Sequence, residues 1–150
     1  MLDRILRIVG GEPDDDVQPE HDRVQIATAA LLVEMSRADF EQTNDEDRAI
    51  ARLLSARFSL ADHEAEELLA AAQSTVDNAV SLHDFTRALH DALSEPEKIE
   101  VVRMLWQVAH ADGELDRYED YLVRKIADLL YVPAGDVIRV RNEVRERLAT

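Results

Sequence analysis

The sequence contains no cysteine, only four glycines and four prolines, and 5% aromatic residues among its 150 positions. Without cysteine, the protein can form neither disulfides nor thiolate metal sites, and it has no cysteine nucleophile. Two of the four glycines are the pair Gly10 and Gly11, so the chain has no glycine-rich loop that could hold a phosphate group. No apolar run approaches the ~20 residues that a membrane-spanning helix needs. We therefore expect a soluble protein without a transmembrane segment, located in the cytoplasm.

The charge of the chain is strongly one-sided. Asp and Glu number 32 against 17 Lys and Arg, which gives a formal net charge of −15. Such a field repels phosphate backbones, so nucleic acid is not expected as a partner. The excess of acid favours cations or basic protein surfaces instead. Because 46% of the residues are hydrophobic, the chain has enough apolar surface for one folded domain.

Apolar residues recur with helical spacing from Pro19 to the end of the chain. No segment shows sustained alternation with a period of two, so a sheet is not expected. The pattern predicts an all-α fold, a single bundle of about seven to eight helices. Residues 1–18 are predicted to form a short amphipathic helix and an acidic linker, and residues 19–150 the helical domain. Trp106 lies on an apolar stripe and is predicted to belong to the core.

Helix starts are marked by capping boxes, in which a side chain at the helix start and a Glu three residues later bond backbone N–H groups reciprocally. Three segments have this pattern, and Ser81 with Asp84 is a weaker version of it. Pro133 suits the first turn of the last helix. The three boxes are Thr43–Glu46, Ser94–Glu97 and Asp116–Glu119.

The sequence also matches itself at an offset of 73 positions. Residues 37–41 fall on residues 110–114, and Glu46 falls on Glu119. Self-similarity of this kind is a strong architectural signal. We therefore predict two related halves, about residues 24–75 and 97–148, which share one core across a pseudo-twofold axis.

The same segments resemble the TerB (tellurite resistance protein B) family. The resemblance lies in residues 30–39 followed by Glu46, and in residues 105–116 followed by Glu119, and it extends over about residues 20–145. It implies an all-helical fold and a role in tellurite resistance or related stress systems. It also implies metal-ion binding and protein partners that are associated with membranes. The first half departs from the family pattern, because Phe40 stands where the second half has Gly113.

Four carboxylates flank the two predicted helix–loop–helix corners: Asp39, Glu46, Asp112 and Glu119. If the halves pack face to face, these groups can converge, and oxygen ligands in that number suit Ca²⁺, Mg²⁺ or Mn²⁺. His110 could add a nitrogen ligand. Local capping explains the same residues, since a Glu in the first turn is already favoured by the backbone and the helix dipole. On the residues alone, capping is the simpler interpretation.

These observations favour a non-catalytic binding or adaptor module in a bacterial stress response, which docks a protein partner and can hold a divalent cation. A metal-dependent enzyme that uses the same carboxylates is the first alternative. Di-iron chemistry in helical bundles uses Glu-x-x-His pairs, and the residues three after Glu34, Glu46 and Glu119 are not histidine. A purely structural or oligomerising domain is the remaining alternative.

Overall fold

The computed structural model describes residues 19–38, 44–78, 80–111 and 117–149. Within these ranges the chain forms seven α-helices and no strand, which confirms the predicted all-α class. The predicted N-terminal helix and acidic linker, residues 1–18, lie outside the described residues. The helices are α1 (Pro19–Arg37), α2 (Asn44–Phe58), α3 (Asp62–Asp77), α4 (Leu82–Ala92), α5 (Glu95–Ala109), α6 (Arg117–Leu129) and α7 (Ala134–Ala149).

Helix α1 forms the centre of the bundle. Every residue from Ile26 to Met35 except Glu34 is buried, so this part of the helix has no polar face. A helix that is apolar on all sides must be covered on all sides. Accordingly, α1 packs against α2, α3, α4, α5 and α6.

Helix α5 is the second buried helix and packs against α1, α2, α6 and α7. Trp106 lies on the face of α5 that packs in the core, and 0% of its surface is exposed. The indole Nε1 donates a hydrogen bond to the Val137 carbonyl at 3.1 Å. The bond joins α5 to the first turn of α7. The predicted core position of Trp106 is therefore confirmed.

The structure confirms the capping pattern at the starts of α4 and α5, whereas Thr43 and Asp116, which begin the other two predicted boxes, lie outside the described residues. The Ser94 amide donates to Glu97 Oε1 at 2.9 Å and the Glu97 amide donates to Ser94 Oγ at 3.4 Å, which completes the predicted box. These bonds from Ser94 hold the pKa of the Glu97 carboxyl below its ordinary value. The Ser81 hydroxyl accepts from the Asp84 amide at 3.2 Å. Pro133 lies one residue before α7, at the cap itself, where its carbonyl accepts from the amides of residues 136 and 137.

The turns that follow α2 and α6 have the same geometry. Ser59 and Tyr131, 72 positions apart, both adopt a left-handed backbone conformation, with φ of 55° and 61°. In both turns the next amide reaches back five residues. The Leu60 amide donates to the Ser55 carbonyl at 3.0 Å and the Val132 amide to the Ala127 carbonyl at 2.9 Å. This is the Schellman pattern that ends many helices.

Superposition of the two halves remains a prediction that these turns support. We expect a crystal structure to show α1–α3 overlaying on α5–α7, with Asp39 over Asp112, because helix order and turn geometry recur at nearly one offset. Helix axes that fail to correspond between residues 24–75 and 97–148 would reduce the sequence repeat to coincidence.

Candidate functional site

Glu46 and Glu119 occupy the same place in two different helices. Each is the third residue of its helix, in α2 and α6 respectively, and each is only 4% exposed. Glu97 has the same position in α5, where its side chain is 46% exposed. Glutamate is almost never fully buried unless it is paired. A carboxylate in the first turn is favoured by the helix dipole, and that position alone does not require burial, because Glu97 occupies it in contact with water.

The helices that carry these glutamates lie against the opposite half of the chain. Helix α2 packs on α5, and α6 packs on α1. Each buried carboxylate therefore begins a helix that crosses onto the first helix of the other half. Asp39 and Asp112, the other two predicted carboxylates, lie outside the described residues.

His110 follows α5 and places a ring nitrogen, Nε2, in a buried position. Its residue is 8% exposed, and its Nδ1 lies 2.8 Å from the Trp106 carbonyl oxygen. A carbonyl can only accept, so Nδ1 carries a proton, and in the neutral imidazole Nε2 then has the lone pair. Nε2 is buried and has no hydrogen-bond partner among the described residues. Metal-binding histidines are held in this way, with the other ring nitrogen donating to a carbonyl or carboxylate.

Asp47 is an acidic residue that the sequence patterns did not single out. Its Oδ1 is buried and has no hydrogen-bond partner within the described part of the chain. Asp120, which is 73 positions later, differs because Arg124 Nε lies 2.8 Å from its carboxylate. The position that corresponds to Arg124 in the first half is Ala51. A comparison of the two halves that asked whether each acidic residue has a basic residue four positions later would have revealed this difference.

Glu34 adds a further carboxyl group in a dehydrated setting on α1. Burial raises the pKa of Glu34, and the nearby Arg37 guanidinium opposes that effect more weakly. Arg37 itself is engaged with Asp77 of α3, at 2.6 Å.

The structure brings some of the predicted ligands into buried positions but does not complete a metal site with them. Within residues 19–38, 44–78, 80–111 and 117–149, no three His, Asp or Glu side chains are arranged so that they could hold a metal ion. A complete site would need ligands from outside these ranges, where the predicted ligands Asp39 and Asp112 lie. None of the described helices is long and apolar enough to cross a membrane.

The protein is an acidic, all-helical domain within the described residues. Its helices α2 and α6 each carry a buried glutamate in the first turn. The family model described as tellurite resistance protein TerB matches residues 25–142. The chain therefore belongs to the TerB family. No curated protein and no solved structure gives a significant match.

Proposed function

We propose that this TerB-family chain is a non-catalytic binding module that holds a divalent cation and docks a protein partner in tellurite resistance or a related bacterial stress response. The cation would be Ca²⁺, Mg²⁺ or Mn²⁺. The observation that carries the proposal is the burial of Glu46 and Glu119 at matching positions of the two halves.

Burial of two carboxylates is costly, and hydrogen bonds and nearby positive charge reduce that cost. The cost is specific to this pair, because the cap of α5 is satisfied by Glu97 while that residue keeps its contact with water. A cation held by Glu46 and Glu119 would add positive charge to the interactions that these two side chains already make. We expect Asp39 and Asp112 to complete the oxygen ligands from the adjoining loops.

His110 supports a cation that accepts both oxygen and nitrogen ligands. Its buried Nε2 lone pair can bind a metal ion without first losing a proton, because the ring proton is on Nδ1. Carboxylate oxygens suit Ca²⁺, Mg²⁺ and Mn²⁺, and an imidazole nitrogen among them favours Mn²⁺ over the other two.

The adaptor role rests on charge and on family membership. With a formal net charge of −15, the surface attracts basic protein segments over distances of about one Debye length, roughly 8–10 Å at physiological salt. A partner with a basic docking surface, including one that is associated with a membrane, would have this complementarity.

Thermal unfolding in different salts tests the cation site. If the site forms, a divalent cation at a hundredfold excess over its dissociation constant should stabilise the wild type by about 2.7 kcal/mol. Monovalent salt at matched ionic strength should give only the smaller gain that comes from screening. The variants Asp39→Asn/Asp112→Asn and Glu46→Gln/Glu119→Gln should both lose the divalent-specific gain.

Glu97→Gln is the matched control, because it removes a carboxylate from the same helical position where that carboxylate is exposed. This variant should keep the full response to divalent cations. Equal responses to divalent and monovalent salt in every protein would reject the cation site and leave local capping as the role of all these residues.

A further inference from the structure

A cavity of about 710 Å³ lies between α4 and the turn that joins α6 to α7. Volumes of 300–1,000 Å³ are typical of small-molecule sites. The cavity is separate from the buried glutamates, because Asp128 at its edge follows Glu119 by nine residues along α6, a rise of roughly 14 Å.

One wall of the cavity is a row of nitrogen-bearing side chains on α4. His83, Arg87 and His90 are spaced four and three residues apart, so they share one exposed face of the helix. Arg87 makes no hydrogen bond or ion pair with any residue in the described ranges. By contrast, Arg103 and Arg139 both pair with Glu143, at 2.7 and 2.9 Å. The Arg87 guanidinium therefore lines the cavity with hydrogen-bonding capacity that no described residue uses.

The protonation of His90 is fixed by a buried lysine. The Lys98 side chain is 3% exposed, and its Nζ lies 2.7 Å from His90 Nδ1. An ammonium group can only donate, so Nδ1 accepts and the ring proton of His90 is on Nε2. The ring is also held against the ring of Tyr131, with centroids 4.7 Å apart. His90 thus offers the cavity a hydrogen-bond donor in a fixed orientation.

Two carboxylates line the same cavity in electrostatically unfavourable places. Asp91 and Asp128 are each the last residue but one of their helices, α4 and α6. The helix dipole places negative charge at that end, so a carboxylate there is destabilising. Neither carboxylate has a hydrogen-bond or ion-pair partner in the described part of the chain. Residues that oppose a local rule without compensation are expected at functional sites.

The combination of groups argues against simpler ligands. Although two histidines and two aspartates line the cavity, no three of the described residues are arranged to hold a metal ion. A plain anion such as phosphate would meet one unpaired guanidinium and be repelled by two carboxylates. The cavity instead offers separate, unpaired charges of both signs.

We propose that this cavity binds a small zwitterion of the amino-acid class. The ammonium group of the ligand is held by Asp91 and Asp128, beside the Tyr131 ring, which is 72% exposed and can add a cation–π contact. The carboxylate is held by Arg87 and by the His90 Nε2–H. The apolar side chains of Leu129, Val132 and Pro133 also line the cavity and provide a surface for the ligand's own side chain.

The test is an NMR titration of the full chain, labelled with ¹⁵N, with free leucine, free arginine and the dipeptide glycyl-leucine. At least one of these should cause saturable shifts that are confined to the amides of residues 83–91 and 128–135. In the dipeptide the ammonium and carboxylate groups are on different residues. Tighter binding of the dipeptide than of the free amino acids would therefore identify a peptide as the ligand. N-acetylleucine and leucinamide, which each lack one charge, should bind at least about tenfold more weakly than leucine if leucine binds.

Substitutions in the cavity should reproduce the losses seen with the ligand analogues. Arg87→Gln and Asp128→Asn are exposed changes, and each should weaken binding of the zwitterion by about tenfold or more. Thermal unfolding should stay unchanged for Arg87→Gln and should shift slightly upward for Asp128→Asn, because this variant removes a negative charge from the end of α6. Arg145→Gln, an exposed arginine on α7, is the matched control and should bind as the wild type does. The proposal is overturned if none of the three zwitterions saturates, if inorganic phosphate alone produces the same shifts, or if the analogues bind as tightly as the amino acid.

Discussion

Replacing Trp106 with alanine is expected to lower the free energy of unfolding by about 3–5 kcal/mol. The indole has no exposed surface, so its removal forfeits the transfer energy of a large aromatic group and leaves a cavity. The hydrogen bond from Nε1 to the Val137 carbonyl is lost as well. Because that bond joins α5 to α7, we expect the change to loosen the packing between these helices.

Urea unfolding followed by circular dichroism measures this loss without relying on the tryptophan signal. Trp106→Phe should cost less than Trp106→Ala, since phenylalanine keeps most of the ring volume and removes only the donor and one ring. Tyr118→Ala is the surface control, because that ring is 55% exposed, and it should stay within about 0.5 kcal/mol of the wild type. An unchanged midpoint for Trp106→Ala would contradict the packing of α5 described above.

Leu32→Ala and Leu105→Ala should each cost about 2–5 kcal/mol. The two leucines lie 73 positions apart, on the two buried helices α1 and α5, and both are completely buried. If the halves share one architecture, the two losses should be similar in size. Because α1 packs against helices of both halves, each variant should still unfold in a single transition.

The matched control for the leucine pair is Leu148→Ala, which removes a leucine that is 61% exposed near the end of α7. Its effect should fall within about 0.5 kcal/mol. A second transition in either core variant would show that the halves unfold as separate units. A large loss for one leucine and almost none for the other would contradict the equivalence of the two helices.

The helical fold could be predicted from the sequence because each of its signals is local. The apolar spacing of α1 and α5 and the capping pattern of Ser94 with Glu97 depend only on residues within a few turns of one another. The position of Trp106 followed from the stripe on which it lies. The repeat offset pointed to Glu46 and Glu119 as equivalent residues before their burial was known.

Features that depend on contacts between distant segments could not be predicted in this way. Whether Glu46 is exposed or buried depends on how α2 crosses onto α5, and no periodicity encodes that crossing. The cavity between α4 and the α6–α7 turn could not be predicted for the same reason. His90 has the pattern of a surface histidine in the sequence, and its role becomes visible only when Lys98 and Tyr131 are placed beside it.

The all-round burial of α1 has a consequence for the synthesis of the protein. On the ribosome α1 emerges before α5, one of the helices that cover it, and α5 is complete only at Ala109. At typical translation rates of about 5–20 residues per second, the roughly 70 intervening residues take about 4–14 s. During this time an apolar helix lacks one of its covering partners. We therefore expect the nascent chain to be a client of ribosome-associated chaperones, and ribosome-bound chains that end before α5 to be the species most prone to aggregation.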